Sequence, residues 1–306
     1  MADLAILYEH ESWFLPLFAA LDRRGVDYAA ILARDHGFDP AEPRAPAPVV
    51  FNRIAMSSFL RDGEHPIFYA QALFEHWQAG GARVLNGTPA LEIDASKARQ
   101  LSLIRRLGLL APESRVVHRR ADVARAAQGL RFPVVVKADI GGAGAGIARY
   151  DSLGDLAAAA GAGESPVGVN GVAVVQEYAP RRGGKITRVE TLGGKFLYAI
   201  DIASDADTFD LCPADVCAID RPPISMTRAD PAPELIAAAE AIAGAAHLDV
   251  GGVEYLIDDR DGTTRFYDIN ALSNFVAGPL DVLGWDPHER LLDFLQGVIG
   301  ERRAAA

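Results

Sequence analysis

The stretch Phe132–Tyr150 reads FPVVVKADIGGAGAGIARY, and it decides how the rest of the chain is interpreted. A strand of β-branched residues ends in Lys137, and the run GGAGAG then leads into a second short apolar segment, Ile147–Tyr150. Glycine permits positive φ and close backbone approach, so such a loop can direct several amide N–H groups at phosphate oxygens. Lys137 would add a point charge at the α or β phosphate. A lone glycine-rich loop is also compatible with a flexible hairpin and a solvated lysine.

Two better-known glycine motifs differ from this loop. The spacing Gly142-x-Gly144-x-Gly146 is not Gly-x-Gly-x-x-Gly, lies in the middle of the chain and leads into a strand rather than a helix. These features weaken the case for a dinucleotide-binding fold. No Gly-Lys-Ser or Gly-Lys-Thr follows, so the loop is not a P-loop. A nicotinamide-dependent oxidoreductase stays only as an alternative.

A second stretch, GGVEYLIDDRDGTTRFYDINALSN over Gly251–Asn274, predicts a metal site. Two strands flank the turn DDRDG, with Glu254 on the first and with Asp268 and Asn270 on the second. Because side chains alternate along a strand, Asp268 and Asn270 share one face, and the hairpin can bring Glu254 beside them. Three oxygen ligands without His or Cys suit Mg²⁺, whereas an exposed polar face is the alternative. The opposite face is expected to be apolar and to carry Val253, Tyr267 and Ile269.

Two weaker signals lie between these stretches. The segment VAVVQEYAP, Val172–Pro180, is a strand of small apolar residues that ends in Gln176, Glu177 and Tyr178. Its main chain could hydrogen-bond an adenine edge while Tyr178 packs on the ring, although an ordinary buried strand end has the same pattern. Arg188 lies in the strand after the basic loop RRGGK, where it either meets a phosphate group or is simply solvated.

Residues 1–95 alternate between strand and helix patterns. The expected strands are Leu4–Tyr8, Tyr28–Leu32 and Val49–Asn52, and the expected helices are Phe14–Arg24 and a helix from Pro66 to Ala79. Such alternation implies a small parallel sheet covered by helices.

The rest of the chain carries helix caps and turn signals. Asp94 is expected to cap the N-terminus of a helix through Leu107. Gly193–Gly194 is expected to form a hairpin turn between two strands. A terminal helix is predicted over Pro287–Ile299, and the tail ERRAAA is expected to be frayed or disordered.

Composition limits the classes of function. The chain has 306 residues, 50% of them hydrophobic, and a net charge of −11. Its length allows two or three modules, whereas its charge argues against a general nucleic-acid binder, because phosphate backbones need a basic surface. The N-terminal residues do not resemble a signal peptide, and no stretch resembles a membrane span. The only cysteines, Cys212 and Cys217, make a poor zinc site, and as thiols they suit a reducing cytosol. We therefore expect a cytoplasmic protein without nucleic-acid or membrane partners.

Taken in order, these segments resemble the ATP-grasp superfamily, especially its RimK-like and glutathione-synthetase-like carboxylate–amine ligases. The similarity covers residues 94–272 and rests on DASKARQLSLIRRLGLLAPES, FPVVVKADIGGAGAGI, VVQEYAP, GGKITRVETLGGKFLYAID, and GGVEYLID followed by FYDINAL. It implies the ATP-grasp fold, which combines α/β and α+β parts. The expected units are an N-terminal parallel α/β domain over 1–95, a connecting helix over 96–112, a small α+β lid subdomain over 113–178, and a C-terminal antiparallel-sheet subdomain over 179–302.

The resemblance also implies roles for single residues. Lys97 and Lys137 are expected to contact the nucleotide phosphates, and Arg188 the γ-phosphate or acyl phosphate, so that Lys137 and Arg188 are the catalytic candidates. The residues expected in the lid loop over the phosphates include Gly141, Gly142, Gly144 and Gly146. The expected adenine hinge is formed by Gln176, Glu177 and Tyr178. The expected Mg²⁺ ligands are Glu254, Asp268 and Asn270.

One position departs from the family pattern. RimK-like ligases have an acidic residue two positions before the arginine, where it binds the ribose hydroxyls, and that position is Ile186 in this chain. Glu177 and Glu190 are the nearest acids in sequence. The group that binds the ribose is therefore open.

The resemblance implies a reaction as well. With ATP and Mg²⁺, or Mn²⁺ as an alternative, the protein would phosphorylate a carboxylate and join the acyl phosphate to an amine, which forms an amide or peptide bond. The substrates would be a small-molecule carboxylate and an amine, such as an amino acid or a peptide, and homo-oligomers are common among similar enzymes. In related ligases, the preceding domain and the segment after the metal-binding asparagine shape the acceptor site, which points to Arg53, Ser273 and Asn274.

Other functions stay open at this point. An ATP-binding regulatory pseudoenzyme of the same fold is the main alternative, and Ile186 favours it. An ATP-grasp carboxylase or phosphoribosyl-type ligase would carry the same motifs. The segment SDADTFDLCPADVC, Ser204–Cys217, has no clear family counterpart, and we expect a substrate-side loop there.

Overall fold

The structure of the protein is a computed structural model that describes residues 2–61, 65–142, 144–204, 209, 211–213 and 224–305. Most of the expected substrate-side loop, Ser204–Cys217, lies outside these residues. The described part of the chain forms three β-sheets, and strands of two of them contribute residues to one large cavity.

The N-terminal sheet is parallel, as the alternating pattern predicts. Its strands and helices are β1 (Leu4–Tyr8), α1 (Leu15–Arg23), β2 (Tyr28–Leu32), β3 (Val49–Arg53), α2 (Pro66–Ala79) and β4 (Arg83–Leu85). The strand order is β2-β1-β3-β4, and each neighbouring pair is parallel. The central strands β1 and β3 are almost fully buried, as expected for strands of a parallel sheet that is covered on both faces.

Two short helices connect this sheet to the next one: α3 (Thr88–Asp94) and α4 (Lys97–Arg106). The prediction that Asp94 caps a single longer helix is wrong, because Asp94 is the last residue of α3. Ser96 caps α4 instead, and its hydroxyl oxygen accepts a hydrogen bond from the Arg99 N–H at 3.2 Å. Asp94 is buried and lines the cavity, a tertiary position that the local pattern of a capping residue does not reveal.

The second sheet is antiparallel and carries the glycine-rich loop. Its elements are β5 (Ser114–Val117), α5 (Val123–Ala126), β6 (Val134–Ala138), β7 (Ile147–Tyr150), α6 (Leu153–Ala162) and β8 (Ala173–Glu177). The strand order is β5-β8-β6-β7. The loop joins β6 to β7, so it leads from a strand into a strand as predicted. Val123 of α5 and Leu156 of α6 pack on the buried side of β6 and β8.

The third sheet is the largest. Its elements are β9 (Lys185–Leu192), β10 (Lys195–Ala203), β11 (Ser225–Ala229), α7 (Pro233–Ala245), β12 (Val250–Ile257) and β13 (Thr264–Asn270). The order is β11-β10-β9-β12-β13, and all neighbours are antiparallel. The predicted hairpin turn joins β9 to β10, and its Gly193 and Gly194 both have positive φ, 58° and 71°. Such a turn favours glycine because other residues are strained at positive φ.

The chain continues with α8 (Pro279–Val282) and α9 (Pro287–Ala304). The expectation that the tail ERRAAA is frayed is wrong for most of its residues, because α9 runs to Ala304. Arg303 pairs with Asp3, with its Nε 3.0 Å from Oδ1, and Arg302 bonds the Gly81 carbonyl. The last turn of α9 is therefore held by residues far away in sequence.

Two expectations from composition can be compared with the structure. Within the described ranges, no helix is both long enough and apolar enough to cross a bilayer. Cys212 is disulfide-bonded, so the expectation that it is a thiol is wrong, while Cys217 lies outside the described residues. The spacing of two cysteines in sequence does not report their oxidation state.

One hydrophobic core joins the N-terminal sheet to the third sheet. It contains Ile6 of β1, Phe51 of β3, Ile200 of β10, Val250 of β12 and Leu292 of α9, all of them fully or almost fully buried. This shared core fixes the N-terminal domain against the sheet that carries the predicted metal ligands. The predicted domain limits themselves remain a proposal.

Candidate functional site

The main candidate site is a cavity lined by residues from all three sheet-containing parts of the fold. Its charged side chains are Asp94, Lys97, Lys137, Arg188, Glu254 and Asp268. Gly141, Gly142 and Gly144 of the glycine-rich loop line it as well, as do Ser273 and Asn274. The structure therefore brings most of the residues singled out in the sequence to one place.

The three predicted metal ligands lie together on β12 and β13, and we call them the oxygen trio: Glu254, Asp268 and Asn270. Glu254 is directly opposite Asp268 in the antiparallel register. The Asn270 Nδ2 lies 3.5 Å from Glu254 Oε1 and 3.4 Å from Asp268 Oδ2, and a half-turn of its amide would present the oxygen instead. Two carboxylates and one amide oxygen suit a hard divalent cation. The described residues contain no group of three or more His, Cys, Asp or Glu side chains that could hold a metal ion, and the oxygen trio itself combines two carboxylates with an amide.

A β-bulge shapes this hairpin and corrects one prediction. The pairing shifts between Glu254 and Tyr255, so that Asp268 and Phe266 have partners while Tyr267 is the extra residue between them. A bulge breaks the alternation of faces. Tyr267 therefore lies on the cavity side, where its hydroxyl donates to Glu254 Oε2 at 2.8 Å, rather than on the expected apolar face.

Carboxylates and cations around the oxygen trio shift the pKa values of its neighbours and members in opposite directions. Burial raises the pKa of Glu254, and the nearby Asp268 carboxylate raises it further, while Arg188 lowers it. Lys97 donates a hydrogen bond from Nζ to Asp268 Oδ1 at 2.5 Å. Burial alone would lower the pKa of Lys97, but Asp268 and Glu254 outweigh it and raise that pKa above its usual value. Lys97 is therefore held in the charged form.

Lys137 differs from Lys97 although it lines the same cavity. Its Nζ lies 5.4 Å from the centroid of the Tyr267 ring. Burial, and then the charge of Lys97, lower the pKa of Lys137 to about 8. The attraction of Asp268 and Glu254 for the Lys137 amine is too weak to offset the effect of its burial on the pKa. When protonated, the amine is therefore available to an anion in the cavity.

Arg188 is fixed by two carboxylates on neighbouring strands. Its Nε donates to Glu190 Oε1 at 2.6 Å, and its Nη1 donates to Glu254 Oε1 at 3.1 Å. Burial opposes its charge, but both carboxylates raise the pKa of Arg188 above its usual value. The guanidinium crosses over Gly252 of β12, where an added Cβ would lie 2.5 Å from Nε. Glycine at that position leaves the space that the guanidinium occupies.

The glycine-rich loop lies against the N-terminal domain. An added Cβ at Gly142 would be 3.0 Å from Ser57 Cβ and 3.2 Å from Ser57 N. Gly144 and Gly146 have positive φ, 70° and 69°. Backbone groups of this loop can therefore approach a ligand in the cavity closely, as the sequence predicts.

A narrower pocket, which we call the slot, opens beside the cavity and ends at the predicted hinge. Lys137, Ile147 and Tyr267 line both spaces. The hinge side chains have partners away from the slot: Gln176 Nε2 donates to Ser114 Oγ at 2.9 Å, and Glu177 Oε1 accepts from the Arg131 N–H at 2.8 Å. A ligand in the slot would therefore meet the main chain of the hinge rather than these two side chains.

Tyr178, the third hinge residue, also lines the slot. The Arg149 guanidinium stacks over its ring at 4.6 Å, and the Phe209 ring packs edge-on at 6.5 Å. These contacts place a flat, partly aromatic wall at the hinge end of the slot, which suits a planar ring system.

Arg53 lies behind the cavity wall rather than on it. Its side chain is buried, and its Nη2 donates to the Ser273 carbonyl at 2.5 Å and to Asn274 Oδ1 at 2.6 Å. Phe14 and Phe51 pack against the guanidinium, and burial lowers the pKa of Arg53 to about 9. Of the three predicted substrate residues, Ser273 and Asn274 face the cavity, and Arg53 holds them there.

Among the residues of the cavity wall that sequence reasoning did not assign to the site are Asp94 and Gln100. Asp94 has its pKa raised to about 7, mainly by burial and also by Asp268. Gln100 bonds the Ile269 carbonyl from Nε2 at 2.8 Å and lines the cavity from α4. Lys97 and Gln100 are three residues apart in α4, which places both on one face of the helix, so the position of Gln100 was available from the pattern.

Comparison with known proteins identifies the fold. No family model matches the chain, and no curated protein matches its sequence. Among solved structures, the chain is similar to the ATP-grasp ligase PsnB, complexed with a phosphomimetic variant of its minimal precursor, Mg and ADP. That match has a TM-score of 0.70 and 16% identity over 97% of this chain and 99% of that one.

Two further structures show the same likeness. A RimK-domain ATP-grasp protein from Sphaerobacter thermophilus matches with a TM-score of 0.68 and 18% identity over 96% of this chain and 99% of that one. D-alanine–D-alanine ligase from Bacillus anthracis, complexed with ATP, matches with a TM-score of 0.69 and 14% identity over 99% of this chain and 98% of that one.

These likenesses define the class of the chain: it has the ATP-grasp fold, as the sequence resemblance predicts. The mixed architecture of a parallel N-terminal sheet and two antiparallel sheets is confirmed as well. The glycine-rich loop joins two antiparallel strands, which removes the strand–turn–helix on which the dinucleotide-binding alternative depends.

Proposed function

We propose that the protein is an ATP-dependent carboxylate–amine ligase, which activates a carboxylate as an acyl phosphate and joins it to an amine. The observation that carries this proposal is that three cations and the oxygen trio converge on one cavity in a chain with the ATP-grasp fold. The cations are Lys97, Lys137 and Arg188. Phosphoryl transfer depends on positioning and on neutralising charge, and this set of groups suits it.

We assign the phosphates of ATP to the cavity and its base to the slot. Lys97 and Lys137 would contact phosphate oxygens, and the glycine-rich loop would cover them. The adenine ring would lie in the slot against Tyr178, with its edge on the main chain of Gln176 and Glu177. The oxygen trio would hold Mg²⁺, or Mn²⁺ in its place, which neutralises charge on phosphate oxygens when bound.

The chemistry then follows in two steps. A carboxylate oxygen of the substrate attacks the γ-phosphorus, and the bond from that phosphorus to the bridging oxygen breaks, which releases ADP. The amine nitrogen next attacks the carbonyl carbon, the bond from that carbon to the phosphate oxygen breaks, and the nitrogen loses a proton. Arg188, held by Glu190 and Glu254, is placed to stabilise negative charge on the transferring phosphoryl group.

We expect two small substrates, one that supplies the carboxylate and one that supplies the amine, and each would be an amino acid or a peptide. Ser273 and Asn274 would contact them, because both line the same cavity as the oxygen trio. The similar structures support this size class, since PsnB is complexed with a minimal precursor and the other ligase is named for D-alanine. We further propose a cytoplasmic location and a homo-oligomeric state.

A regulatory pseudoenzyme that binds ATP without turnover is the second candidate. The observation that favours it is the apolar Ile186 on the slot wall, where the family has an acid. It predicts ATP binding without ADP release for any carboxylate, whereas the ligase proposal predicts ADP release for at least one.

The proposal is tested by trapping the acyl phosphate. The protein is incubated with ATP, Mg²⁺, hydroxylamine and each member of a panel of carboxylates, and hydroxamate and ADP are measured. One carboxylate should give hydroxamate and ADP in equal amounts. ATP binding without hydroxamate or ADP across a broad panel would support the pseudoenzyme instead.

The variant Lys137→Met tests the proposed role of Lys137 in phosphoryl transfer. It should lower ADP release by about 100-fold or more, because a cation aimed at transferring charge typically contributes that much. Lys195→Met is the control, since Lys195 is exposed and pairs with Glu240 outside the cavity. Equal activity in both variants would contradict the assignment of Lys137, and thermal melts of both establish that each is folded.

A further inference from the structure

A buried aspartate lies at the start of the glycine-rich loop. Asp139 directly follows β6, two residues after Lys137 and two residues before Gly141. It is 3% exposed, although it lies in a connection between two strands. Burial of a carboxylate is costly unless its oxygens accept hydrogen bonds. The partners of Asp139 therefore indicate what this residue does.

One set of its bonds joins Asp139 to the first turn of α4. Its Oδ1 accepts from the Ser96 hydroxyl at 3.1 Å and from the Ala98 N–H at 2.8 Å. Its main-chain carbonyl accepts from the Lys97 N–H at 3.1 Å. A negative group is also favoured at the N-terminus of a helix by the helix dipole. Asp139 thus bonds Lys97 and the residues directly before and after it.

A second set of contacts fixes Asp139 itself. Its Oδ2 accepts from Asn170 Nδ2 at 2.8 Å, and its N–H donates to the Val172 carbonyl at 3.2 Å, just before β8. The next residue, Ile140, is 2% exposed and packs in a hydrophobic cluster of the N-terminal domain that includes Leu91. The start of the glycine-rich loop is therefore held from three sides: by β8, by α4 and by the N-terminal domain.

We propose that Asp139 is a positioning residue, which fixes Lys97 and Lys137 relative to each other so that both amines meet the phosphates of one nucleotide. This inference rests on the proposed function, because it needs ATP phosphates at the two lysines, and it adds the residue that sets their geometry. Both lysines line the cavity, whereas Asp139 lies outside the cavity wall and acts through them.

The physical reason is that a cation stabilises phosphate charge only from an accurate position. A displacement of about 1 Å in a positioned group can cost about 100-fold in rate. Without the Asp139 carboxylate, the first turn of α4 would keep its bond to the main-chain carbonyl and lose the two bonds on either side of Lys97. The Lys97 amine would then shift relative to Lys137, and we expect the affinity for ATP to fall by about tenfold.

The test is a double-mutant cycle on ATP affinity with Mg²⁺, measured by calorimetry on the full chain. Asp139→Ala should weaken binding by about tenfold in the parent protein. It should weaken binding by less than about threefold in the Lys97→Met background, because a residue that acts through Lys97 has little effect once that amine is gone. Equal losses in both backgrounds would overturn the inference. A parent protein that binds no ATP would overturn the proposed function as well.

A matched control separates positioning from stability. Ser152→Ala also removes a side-chain acceptor at the start of a ten-residue helix, since the Ser152 hydroxyl accepts from the Asp155 N–H at 3.1 Å and caps α6. It should lower stability to urea and keep the ATP affinity of the parent protein. If it weakened ATP binding as much as Asp139→Ala, stability alone would explain the loss and the inference would fail. This comparison decides where Lys97→Met binds ATP too weakly for the cycle.

An exchange of partners provides the rescue. Asp139→Asn combined with Asn170→Asp swaps the amide and the carboxylate of this pair, and it keeps an oxygen at position 139 for the bonds to α4. The double variant should recover most of the affinity that Asp139→Ala loses. If Asp139→Ala is unfolded by circular dichroism, Asp139→Ser replaces it, because its shorter side chain does not span the same distance to α4. A folded exchange variant as weak as Asp139→Ala would contradict the assignment of Asp139.

Discussion

At the scale of single residues, the two lysines of the cavity have opposite electrostatic surroundings. Lys97 bonds Asp268 at 2.5 Å and keeps a raised pKa, whereas Lys137 has its pKa lowered to about 8 by burial and by Lys97. A lysine with a lowered pKa is protonated below that value and neutral above it. Of the groups that we propose to bind phosphate, Lys137 is therefore the one whose charge changes within an accessible range of pH.

This difference predicts how ATP affinity depends on pH. The affinity should be constant below pH 8 and should then fall, by up to about tenfold per pH unit, as Lys137 loses its proton in the free protein. Phosphate binding favours the charged amine, so binding should take up a proton in this range. Calorimetry in two buffers with different ionisation enthalpies measures both effects.

Lys137→Arg is the control for that prediction, because arginine stays charged over the whole range. Its affinity for ATP should be flat where that of the parent protein falls. A parent protein whose affinity is also flat above pH 8, with no proton uptake, would show that Lys137 keeps its charge and that its surroundings are more stabilising than its burial implies.

At the scale of elements, the contact between β9 and β12 positions Arg188, the arginine that we propose to be catalytic. Arg188 of β9 lies over Gly252 of β12. At the adjacent Gly251, an added Cβ would lie 2.5 Å from the Asn270 carbonyl oxygen. A side chain at Gly252 would therefore meet the end of the Arg188 side chain, whereas one at Gly251 would meet backbone. The two glycines have different tasks although they are neighbours.

Gly252→Ala should accordingly reduce activity more than stability. The added methyl group displaces the guanidinium from Glu190 and Glu254, and we expect ADP release to fall by about 100-fold. Gly244→Ala in α7 is the control, because nothing lies within 4 Å of its added Cβ. The control should keep full activity and gain about 0.5–1 kcal/mol of helix stability.

The measurements are steady-state ADP release and urea unfolding of both variants. If Gly252→Ala kept the activity of the parent protein, the position of Arg188 over Gly252 would be irrelevant to the reaction. If it lost activity only because it unfolded, the contact would be structural.

The elements also show what the sequence could predict. Strands such as Leu4–Tyr8 and Tyr28–Leu32 were predicted with their observed bounds, because short apolar runs between turn residues specify a strand locally. The oxygen trio was predicted as a group, because alternation along one hairpin is enough to bring Glu254 beside Asp268.

Apart from Gln100, whose place on the face of Lys97 follows from helical spacing, the misses depend on contacts that a local pattern does not contain. Tyr267 was placed on the wrong face because a single bulge after Glu254 reverses the alternation. Asp94 has the composition of a helix cap, but tertiary packing buries it at the end of α3. The last turn of α9 is stabilised by Asp3, at the other end of the chain.

At the scale of the whole molecule, one asparagine joins the N-terminal domain to the sheet of the oxygen trio. Asn86 follows β4, is fully buried, and has a φ of 48°. Its Nδ2 donates to the carbonyls of Val250 and Ala271, each at 2.6 Å, and its Oδ1 accepts from the Asp249 N–H at 2.7 Å. Ala271 directly follows Asn270, so this side chain fixes the distance between the N-terminal domain and the candidate metal site.

Removing this side chain should destabilise the molecule and loosen the site together. Asn86→Ala leaves buried N–H and C=O groups without partners, each at a cost of about 1–3 kcal/mol, so we expect a loss of about 3 kcal/mol or more in the free energy of unfolding. Asn86→Gly loses the same bonds but tolerates the left-handed backbone, and should be about 1 kcal/mol less affected than alanine. Asn170→Ala is the control, because Asn170 is exposed and its two bonds stay local: its Nδ2 donates to Asp139 Oδ2 at 2.8 Å, and its Oδ1 accepts from the Val172 N–H at 3.2 Å. Urea unfolding of the three variants measures these differences, and a loss below about 1 kcal/mol in Asn86→Ala would mean that the shared hydrophobic core alone holds the two parts together.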